Sequence, residues 1–184
     1  MFKTVSQKEK EAFNLMKEKF GYKNPMQSPK IEKVIVSVGV GSIQDKNKLK
    51  DIKEKIALIT GQKASEQLAK KSIATFKVRE GQLSGYKVTM RGKNAKDFLD
   101  KLINISLPRT RDFRGLSKSS VDDMGNYSLG IKDNSIFAET SDQDVREAFG
   151  LGITVVTSGK TKEETAHFLE LLGFPFKKEE EVGK

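Results

Sequence analysis

The run Ile31-Glu-Lys-Val-Ile-Val-Ser-Val38 decides the fold class, since five of its eight residues are β-branched and apolar. Pro29 lies shortly before it and Gly39 follows it, and such flanks are typical of a strand bounded by turns. Residues 46–59 then carry apolar side chains three and four positions apart, which predicts an amphipathic helix that stops near Gly61. A strand that leads into such a helix indicates a domain of mixed architecture.

Two further helices have clear boundaries. Residues 6–20 carry one apolar stripe among Lys and Glu, and the stripe ends at Gly21. The last helix begins with Thr161-Lys-Glu-Glu164, the spacing of a capping box, and stops at Gly173. Both segments are expected to cover a sheet with one face and to meet solvent with the other.

Short alternating segments predict the remaining strands. Residues 74–78 and 86–90 form a predicted hairpin whose connection, Arg79–Gly85, holds two glycines and is expected to be a mobile tip. Further strands are expected at residues 127–131 and 153–157.

A third helix is expected to start with Asn94 as its cap and to close at Pro108. Its predicted apolar face consists of Phe98, Leu99, Leu102, Ile103 and Ile105. The whole pattern predicts an α+β fold, a two-layer open-faced sandwich in which a mainly antiparallel sheet has helices packed on one face. One domain is expected over residues 1–178, with a flexible C-terminal tail at residues 179–184.

The net charge of +9 is concentrated in one stretch of the chain. Residues 60–118 hold 14 Lys and Arg against 5 Asp and Glu, so the rest of the chain is neutral in sum. Residues 119–150 hold 7 acidic groups against 2 basic ones. This bipolar distribution indicates a polyanionic partner and leaves room for a second, basic one.

Composition argues against several classes of protein. The chain has no cysteine and no apolar run of membrane-spanning length, which favours a protein of the cytoplasm without a membrane partner. Gly39-Val40-Gly41 follows a strand, but the third glycine of a dinucleotide fingerprint would fall at Gln44. A tight turn explains these glycines better. No cofactor is expected.

Catalytic groups are scarce. The sole histidine, His167, lies between apolar residues of the last helix, where packing explains it better than chemistry does. Asp112, Asp122 and Asp123 offer carboxylates that could hold magnesium in a nuclease. Adjacent aspartates in a loop are more often solvated turn residues, however, and no nucleophile or base accompanies these.

The basic segments fit RNA binding. Lys70-Lys71-Ser72 and Lys77-Val-Arg79 lie on the predicted hairpin, and the run Arg109-Thr-Arg-Asp-Phe-Arg114 places three guanidinium groups around one ring. Arginine forks onto phosphates and stacks on bases, and Phe113 could stack as well. The plainer alternative is that Asp112 pairs with one arginine, Phe113 is core, and the rest is a solvated surface.

Five segments, in this order, resemble the L5 family of bacterial large-subunit ribosomal proteins, and the resemblance covers roughly residues 13–178. They are Ile59-Thr-Gly-Gln-Lys63, Lys70-Lys-Ser-Ile-Ala-Thr-Phe-Lys77, Leu107-Pro-Arg-Thr-Arg-Asp-Phe-Arg-Gly-Leu116, Gly125-Asn-Tyr-Ser-Leu-Gly130 and Gly173-Phe-Pro-Phe-Lys177.

This resemblance implies a non-enzymatic ribosomal protein of the central protuberance. Its implied partners are 5S rRNA, 23S rRNA, peptidyl-site tRNA, the small-subunit protein S13 and other proteins of the protuberance. The implied 5S rRNA contacts are Ser37, Gln62, Lys63, Thr89 and Arg91. The implied tRNA-facing hairpin spans residues 70–85, with Lys70, Lys71, Ser72, Lys77, Arg79, Gln82 and Ser84. Arg109, Arg111, Phe113 and Arg114 form the basic loop, for RNA or inter-subunit contact.

A few positions depart from the family pattern. Ser37 stands where the family has Asn, so one hydroxyl replaces an amide there. Asp123 and Met124 stand where Gly and Arg are usual, and Ala138 replaces a usual Pro. Two other functions stay open: a free RNA chaperone or regulator acting through the same basic patch, and a magnesium-dependent nuclease built on Asp112, Asp122 and Asp123.

Overall fold

The computed structural model describes residues 3–43, 45–111, 113–140 and 148–177. It contains a five-stranded antiparallel open sheet and four α-helices, so the predicted α+β open sandwich is confirmed. The strand order is β2-β3-β1-β5-β4. Asp112 of the magnesium alternative and the expected tail at residues 179–184 lie outside the described residues.

The elements follow one another with few long connections. The helices are α1 (Val5–Phe20), α2 (Lys46–Thr60), α3 (Gly92–Lys101) and α4 (Lys162–Leu172). The strands are β1 (Ile31–Gly39), β2 (Ser65–Leu68), β3 (Leu83–Arg91), β4 (Asn126–Ile131) and β5 (Leu151–Thr157).

The chain divides into two compact units, each made of separate stretches of sequence. The first unit contains residues up to 33, residues 91–129 and residues from 154 onward. The second unit contains residues 34–90 and 130–153. The single domain expected over residues 1–178 stays a prediction.

In the first unit, α1 packs on α3 and α4. Its first turn is held by Asp100, whose Oδ1 accepts the backbone N–H of Val5 at 2.8 Å. Lys8 donates its ammonium to the carbonyl of Leu172 at 2.8 Å and so caps the C-terminal end of α4. The core of this unit includes Met16, Leu99, Leu102, Tyr127, Phe168, Leu169 and Leu172.

In the second unit, α2 begins at Asp45, whose side chain accepts the N–H of Asn47 at 2.9 Å. It ends at Gly61 in the left-handed conformation, as the sequence predicts. Tyr86 of β3 donates its hydroxyl to the carbonyl of Leu49 at 3.2 Å. The core of this unit includes Val36, Ile56, Ile59, Val88, Met90, Phe137 and Ile153.

The prediction that residues 74–78 form the first strand of a hairpin is wrong. Residues 74–76 form a 3₁₀ turn, and Lys77 after it has a left-handed φ of 53°, which lies outside the extended region of a regular strand. The partner of β3 is β2, whose Ser65 and Glu66 lie opposite Lys87 and Tyr86. Since β2 has no β-branched residue, it is a strand because β3 supplies its hydrogen bonds, and local propensity gave no sign of it.

The third helix differs at both ends from the prediction. Arg91 occupies the cap position of α3, so Asn94 lies inside the helix and caps nothing. Beyond α3 the chain forms a π-helical turn, Leu102–Ser106, in which Leu107 donates its N–H to the carbonyl of Leu102. A π turn adds a residue to the helical repeat and rotates the residues after it. For this reason Ile105 is 49% exposed and is not part of the apolar face.

The last helix begins as predicted at Thr161, whose hydroxyl accepts the N–H of Glu164 at 3.3 Å. Glu164 binds the N–H of Lys160 at 2.9 Å instead of that of Thr161, so the reciprocal half of the capping box is shifted by one residue. The buried Glu164 also accepts the hydroxyl of Tyr22. This carboxylate therefore ties the start of α4 to the segment after α1.

His167 packs against Phe20, with ring centroids 5.9 Å apart, which supports the packing role expected for it. Burial and the nearby charges of Lys19 and Lys118 lower its pKa from the ordinary 6.5, while Glu170 opposes them. The folded state disfavours the charged ring. The contribution of His167 to the free energy of unfolding is therefore fully present above pH 6.5 and is lost as the pH falls through the lowered pKa.

We therefore expect His167→Gln to flatten the stability of the protein between pH 7 and pH 5. Thermal unfolding of the two proteins across that range measures the difference. Asn14→Gln, on an exposed position of α1, is the matched control and should leave the pH profile unchanged. If His167→Gln and the unsubstituted protein lost equal stability between pH 7 and pH 5, the lowered pKa of His167 would be contradicted.

Candidate nucleic-acid interface

The outward row of β3 is the basic part of the sheet surface. Tyr86, Val88 and Met90 are buried, and the residues between them point to the other side of the strand. Those residues are Lys87, Thr89 and Arg91, of which Lys87 and Arg91 are exposed and Thr89 is half-buried. Two cations therefore flank a hydroxyl at alternate positions, which suits contact with a phosphate backbone.

Ser37 lies on β1, the strand next to β3. It is exposed, and its hydroxyl donates to the carbonyl of Gly152 on β5 at 3.3 Å. A Cβ at Gly152 would lie 2.9 Å from that hydroxyl, so the glycine gives Ser37 the room it occupies. The oxygen of Ser37 can still accept a hydrogen bond from a ligand while its proton is bound to the strand.

Gln62 and Lys63 lie in the short connection between α2 and β2, and both are exposed. Thr60 shapes this connection, since its hydroxyl donates to the carbonyl of Ile56 at 2.7 Å and approaches the carbonyl of Gln62 at 3.1 Å. The backbone is fixed in this way, and both side chains extend into solvent at the edge of the second unit.

The acidic side chain closest in sequence to this connection is held by a lysine of α2. Glu66 accepts a hydrogen bond from Lys53 at 2.6 Å, and this bond, with smaller contributions from the charges of Lys53 and Lys63, lowers the pKa of Glu66. Because Glu66 lies opposite Tyr86, its charge is on the helix side of β2. The outward side of β2 carries Ser65 and Gln67, which bear no charge.

The hairpin loop runs from the end of β2 to the start of β3, and its backbone is closed at several levels. Ala69 donates to the carbonyl of Gln82 at 2.8 Å, and Ile73 and Val78 exchange two hydrogen bonds nearer the tip. Ser72 accepts the N–H of Glu80 at 2.9 Å, and Gln82 accepts that of Arg79 at 3.1 Å through its side chain. Ser72 and Gln82 therefore shape the loop from within.

The expected contact residues of the loop fall into two groups. Lys70, Lys71, Lys77 and Arg79 are exposed cations. Ser84 is exposed but belongs to β3, where its carbonyl accepts the N–H of Val40 at 3.0 Å. The tip of the loop therefore lies at residues 74–77, earlier in the chain than the connection predicted at residues 79–85.

The basic loop lies in the first unit. Arg109, Arg111 and Arg114 are exposed, whereas Phe113 is half-buried. The loop ends in a parallel bridge in which Leu116 donates to Pro175 at 2.8 Å and accepts from Lys177 at 2.9 Å. Three guanidinium groups thus extend from a segment anchored at its C-terminal end. The half-buried ring of Phe113 does not decide between the two expectations for it, stacking on a base or packing in the core.

The aspartates after the basic loop form a turn. Asp122 accepts the backbone N–H groups of Asn126 at 2.6 Å and Met124 at 3.1 Å, and these bonds, together with one from the Asn126 side chain, lower its pKa. Asp123 is exposed, and Met124 is 78% exposed. In the described part of the chain, no group of three or more histidine or acidic side chains could hold a metal ion.

Two exposed residues were missed in the sequence. Lys87 shares the outward row of Thr89 and lies opposite Ser65, and the alternation of β3 alone could have revealed it. Phe76 is 73% exposed at the tip of the hairpin loop. Its exposure had no signal in the sequence, because residues 74–78 read as a strand in which it would have been half-buried.

The comparisons with known proteins agree with an RNA-binding class of protein. Residues 24–79 match the family described as Ribosomal protein L5, and residues 83–176 match the family model for the C-terminus of the same ribosomal proteins. The chain is 48% identical over 171 residues to the large ribosomal subunit protein uL5 of Thermoanaerobacter sp. (strain X514), which covers 92% of this chain and 96% of that protein. The protein of the same name from Clostridium perfringens (strain SM101 / Type A) is 50% identical over 169 residues, 91% and 94% of the two chains.

The chain therefore belongs to the L5 family of ribosomal proteins. It is a structural constituent of the large ribosomal subunit and not an enzyme, and its place is the cytoplasmic ribosome. The nuclease alternative is thereby excluded. Within the described ranges, no helix is both long enough and apolar enough to cross a bilayer.

Proposed function

We propose that this protein binds 5S rRNA through the outward side of its second unit and the end of β3. The contacts are Ser37, Gln62, Lys63, Thr89 and Arg91, to which we add Lys87 because it is exposed on the same outward row of β3 as Thr89. The observation that carries the proposal is the outward row of β3, in which exposed cations alternate with a hydroxyl. Phosphate contacts supply most of the affinity, while the amide of Gln62 and the hydroxyl of Thr89 set the register on the RNA.

The hairpin loop and the basic loop serve other contacts in this proposal. Lys70, Lys71, Lys77 and Arg79 face peptidyl-site tRNA, and hydrogen bonds at several levels close the loop that carries them. The basic loop contacts 23S rRNA or takes part in the contact between subunits. The exposed Asp122 and Asp123 face the basic small-subunit protein S13, since opposite charges favour that encounter. The protein thus takes its place in the central protuberance, beside other proteins there.

The salt dependence of binding to isolated 5S rRNA tests the phosphate contacts. For about six contacted phosphates, the slope of log affinity against log salt concentration should be about −4 to −5. Filter binding at several potassium concentrations measures it. An affinity that does not change with salt would contradict the proposal.

A double substitution tests which surface binds. Gln62→Ala with Lys63→Ala should weaken 5S rRNA binding by about 2 kcal/mol, since it removes one charged and one neutral contact. The matched control, Lys10→Ala with Asn14→Ala, likewise removes one lysine and one side-chain amide, from exposed positions of α1, and should bind normally.

The hairpin tip supplies the opposite control. Replacing residues 74–77 by two glycines shortens the loop beyond the Ile73 and Val78 bridge and should leave 5S rRNA binding unchanged. If this replacement abolished binding while the Gln62 and Lys63 substitutions spared it, the two surfaces would have been assigned in reverse. A free RNA chaperone would also be distinguished, since it would leave large subunits during a high-salt wash.

A further inference from the structure

Phe76 is a large apolar side chain that the folded chain leaves exposed to solvent. Among the phenylalanines of the described residues it is the only exposed one, with 73% of its surface open to solvent. Ile73, three residues earlier on the same loop, is 47% exposed. The loop therefore offers an exposed aromatic ring, with a second apolar side chain three residues away, for contact with a partner.

The turn that carries Phe76 is closed by backbone hydrogen bonds. Ile73 and Val78 bond each other at 3.0 and 3.2 Å, and within that bridge Lys77 donates to the carbonyl of Ala74 at 3.0 Å. Lys77 has a φ of 53°, the only left-handed value among the described residues other than glycine. A lysine in this conformation costs about 1 kcal/mol. The turn is therefore held in a less favoured conformation with the ring of Phe76 outward.

The surroundings of the ring identify the chemistry of its partner. Residues 69–82 contain four basic side chains, Lys70, Lys71, Lys77 and Arg79, against one acidic side chain, Glu80. All four cations are exposed. A partner must therefore be anionic around a flat apolar surface, and an RNA with an accessible base offers both. An apolar pocket without acidic side chains around it would match the ring but not the excess of cations.

We propose that Phe76 stacks on an accessible base of the RNA that the hairpin loop contacts, while the surrounding cations hold the adjacent phosphates. The inference rests on the proposed function only in taking RNA as the partner of this loop. It adds a stacking residue to a contact otherwise described by charge. An aromatic ring can stack only on an unpaired or terminal base. The loop would therefore bind an RNA fold that exposes such a base more tightly than a continuous RNA helix.

Photo-crosslinking in complete ribosomes tests the position of the ring. A p-benzoylphenylalanine in place of Phe76 should crosslink to RNA nucleotides, and the same group in place of Met26 is the control. Met26 is 76% exposed on a 3₁₀ turn of the first unit and so presents the probe equally well in another place. Crosslinks from position 76 to protein alone, or none at all, overturn the inference.

The identity of the crosslinked RNA separates this inference from the proposed function. Crosslinks to peptidyl-site tRNA support both stacking and the proposed direction of the hairpin. Crosslinks to ribosomal RNA support stacking but refute that direction. Binding of 5S rRNA, measured on the same variant, depends on the other surface and is expected to remain normal in every case.

Three substitutions then distinguish stacking from simple apolar contact. The RNA identified by crosslinking, or a fragment that carries its contact site, is then used without a crosslink. It should dissociate at least about fivefold faster from Phe76→Ala and Phe76→Leu than from the unsubstituted protein. Phe76→Trp should retain the normal rate, because it keeps a flat ring. A normal rate for Phe76→Leu would show that an apolar side chain suffices, and the stacking proposal would then be wrong.

Discussion

Replacing Gly125 by alanine is expected to lower the free energy of unfolding by about 3 kcal/mol or more. Gly125 has a φ of +76°, which a residue with a Cβ rarely adopts. A Cβ there would lie 2.4 Å from the carbonyl oxygen of Gly159 and 2.9 Å from the hydroxyl of Thr165. The first of these neighbours is backbone, so relief requires movement of the chain between β5 and α4. Urea unfolding followed by circular dichroism measures the loss.

Gly130→Ala is the matched control for Gly125→Ala. Gly130 lies on β4, the strand that begins directly after Gly125, but it has no positive φ and no atom within 4 Å of an added Cβ. This substitution should change the unfolding free energy by less than about 1 kcal/mol. Comparable losses in the two variants would mean that glycine is needed in this segment for a reason other than the contact with Gly159.

Tyr127→Ala is expected to cost about 3–5 kcal/mol, the range found when a buried aromatic side chain is removed. Tyr127 is 1% exposed and packs edge-on against Phe174 and Phe176, with ring centroids 5.8 and 5.7 Å apart. Its loss would leave a cavity beneath the segment that bridges to Leu116 at the end of the basic loop. Thermal unfolding would report the loss, and faster proteolysis of the basic loop should accompany it.

Tyr127→Phe separates the contribution of the ring to stability from that of the hydroxyl. The hydroxyl donates to the carbonyl of Ser117 at 3.3 Å, so this variant should lose only about 1 kcal/mol. Burial raises the pKa of Tyr127 to about 12. The stability due to its neutral form is complete below pH 10 and falls between pH 10 and pH 12. Tyr127→Phe should remove this alkaline loss, and an unchanged alkaline profile would argue against the buried ring.

Elements with a strong local signal were predicted well. The stops at Gly21, Gly61 and Gly173 were read correctly because a left-handed residue after a helix is a local requirement that glycine meets best. The strand Ile31–Gly39 was found because its β-branched residues favour extended backbone without help from the rest of the chain. Where propensity and packing agree, the sequence is sufficient.

Elements that depend on a distant partner were missed. The strand Ser65–Leu68 has weak propensity of its own and exists through its pairing with β3. Residues 74–78 have the composition of a strand but no partner strand along their length. Only Val78 pairs, in a single bridge with Ile73. Likewise, the rotation that exposes Ile105 follows from the π turn, and no periodicity analysis assumes such a turn.

The same division holds for the candidate site. The sequence by itself determined the concentration of positive charge in residues 60–118, the suitability of that charge for RNA, and the motifs of the ribosomal family. These properties belong to the residues wherever they lie. The tertiary structure alone decided that Lys87 joins Thr89 and Arg91 on one side of β3 and that Phe76 is exposed at the hairpin tip. Strand pairing and loop closure join residues far apart in the chain, and their outcome depends on the assembled sheet more than on any segment of it.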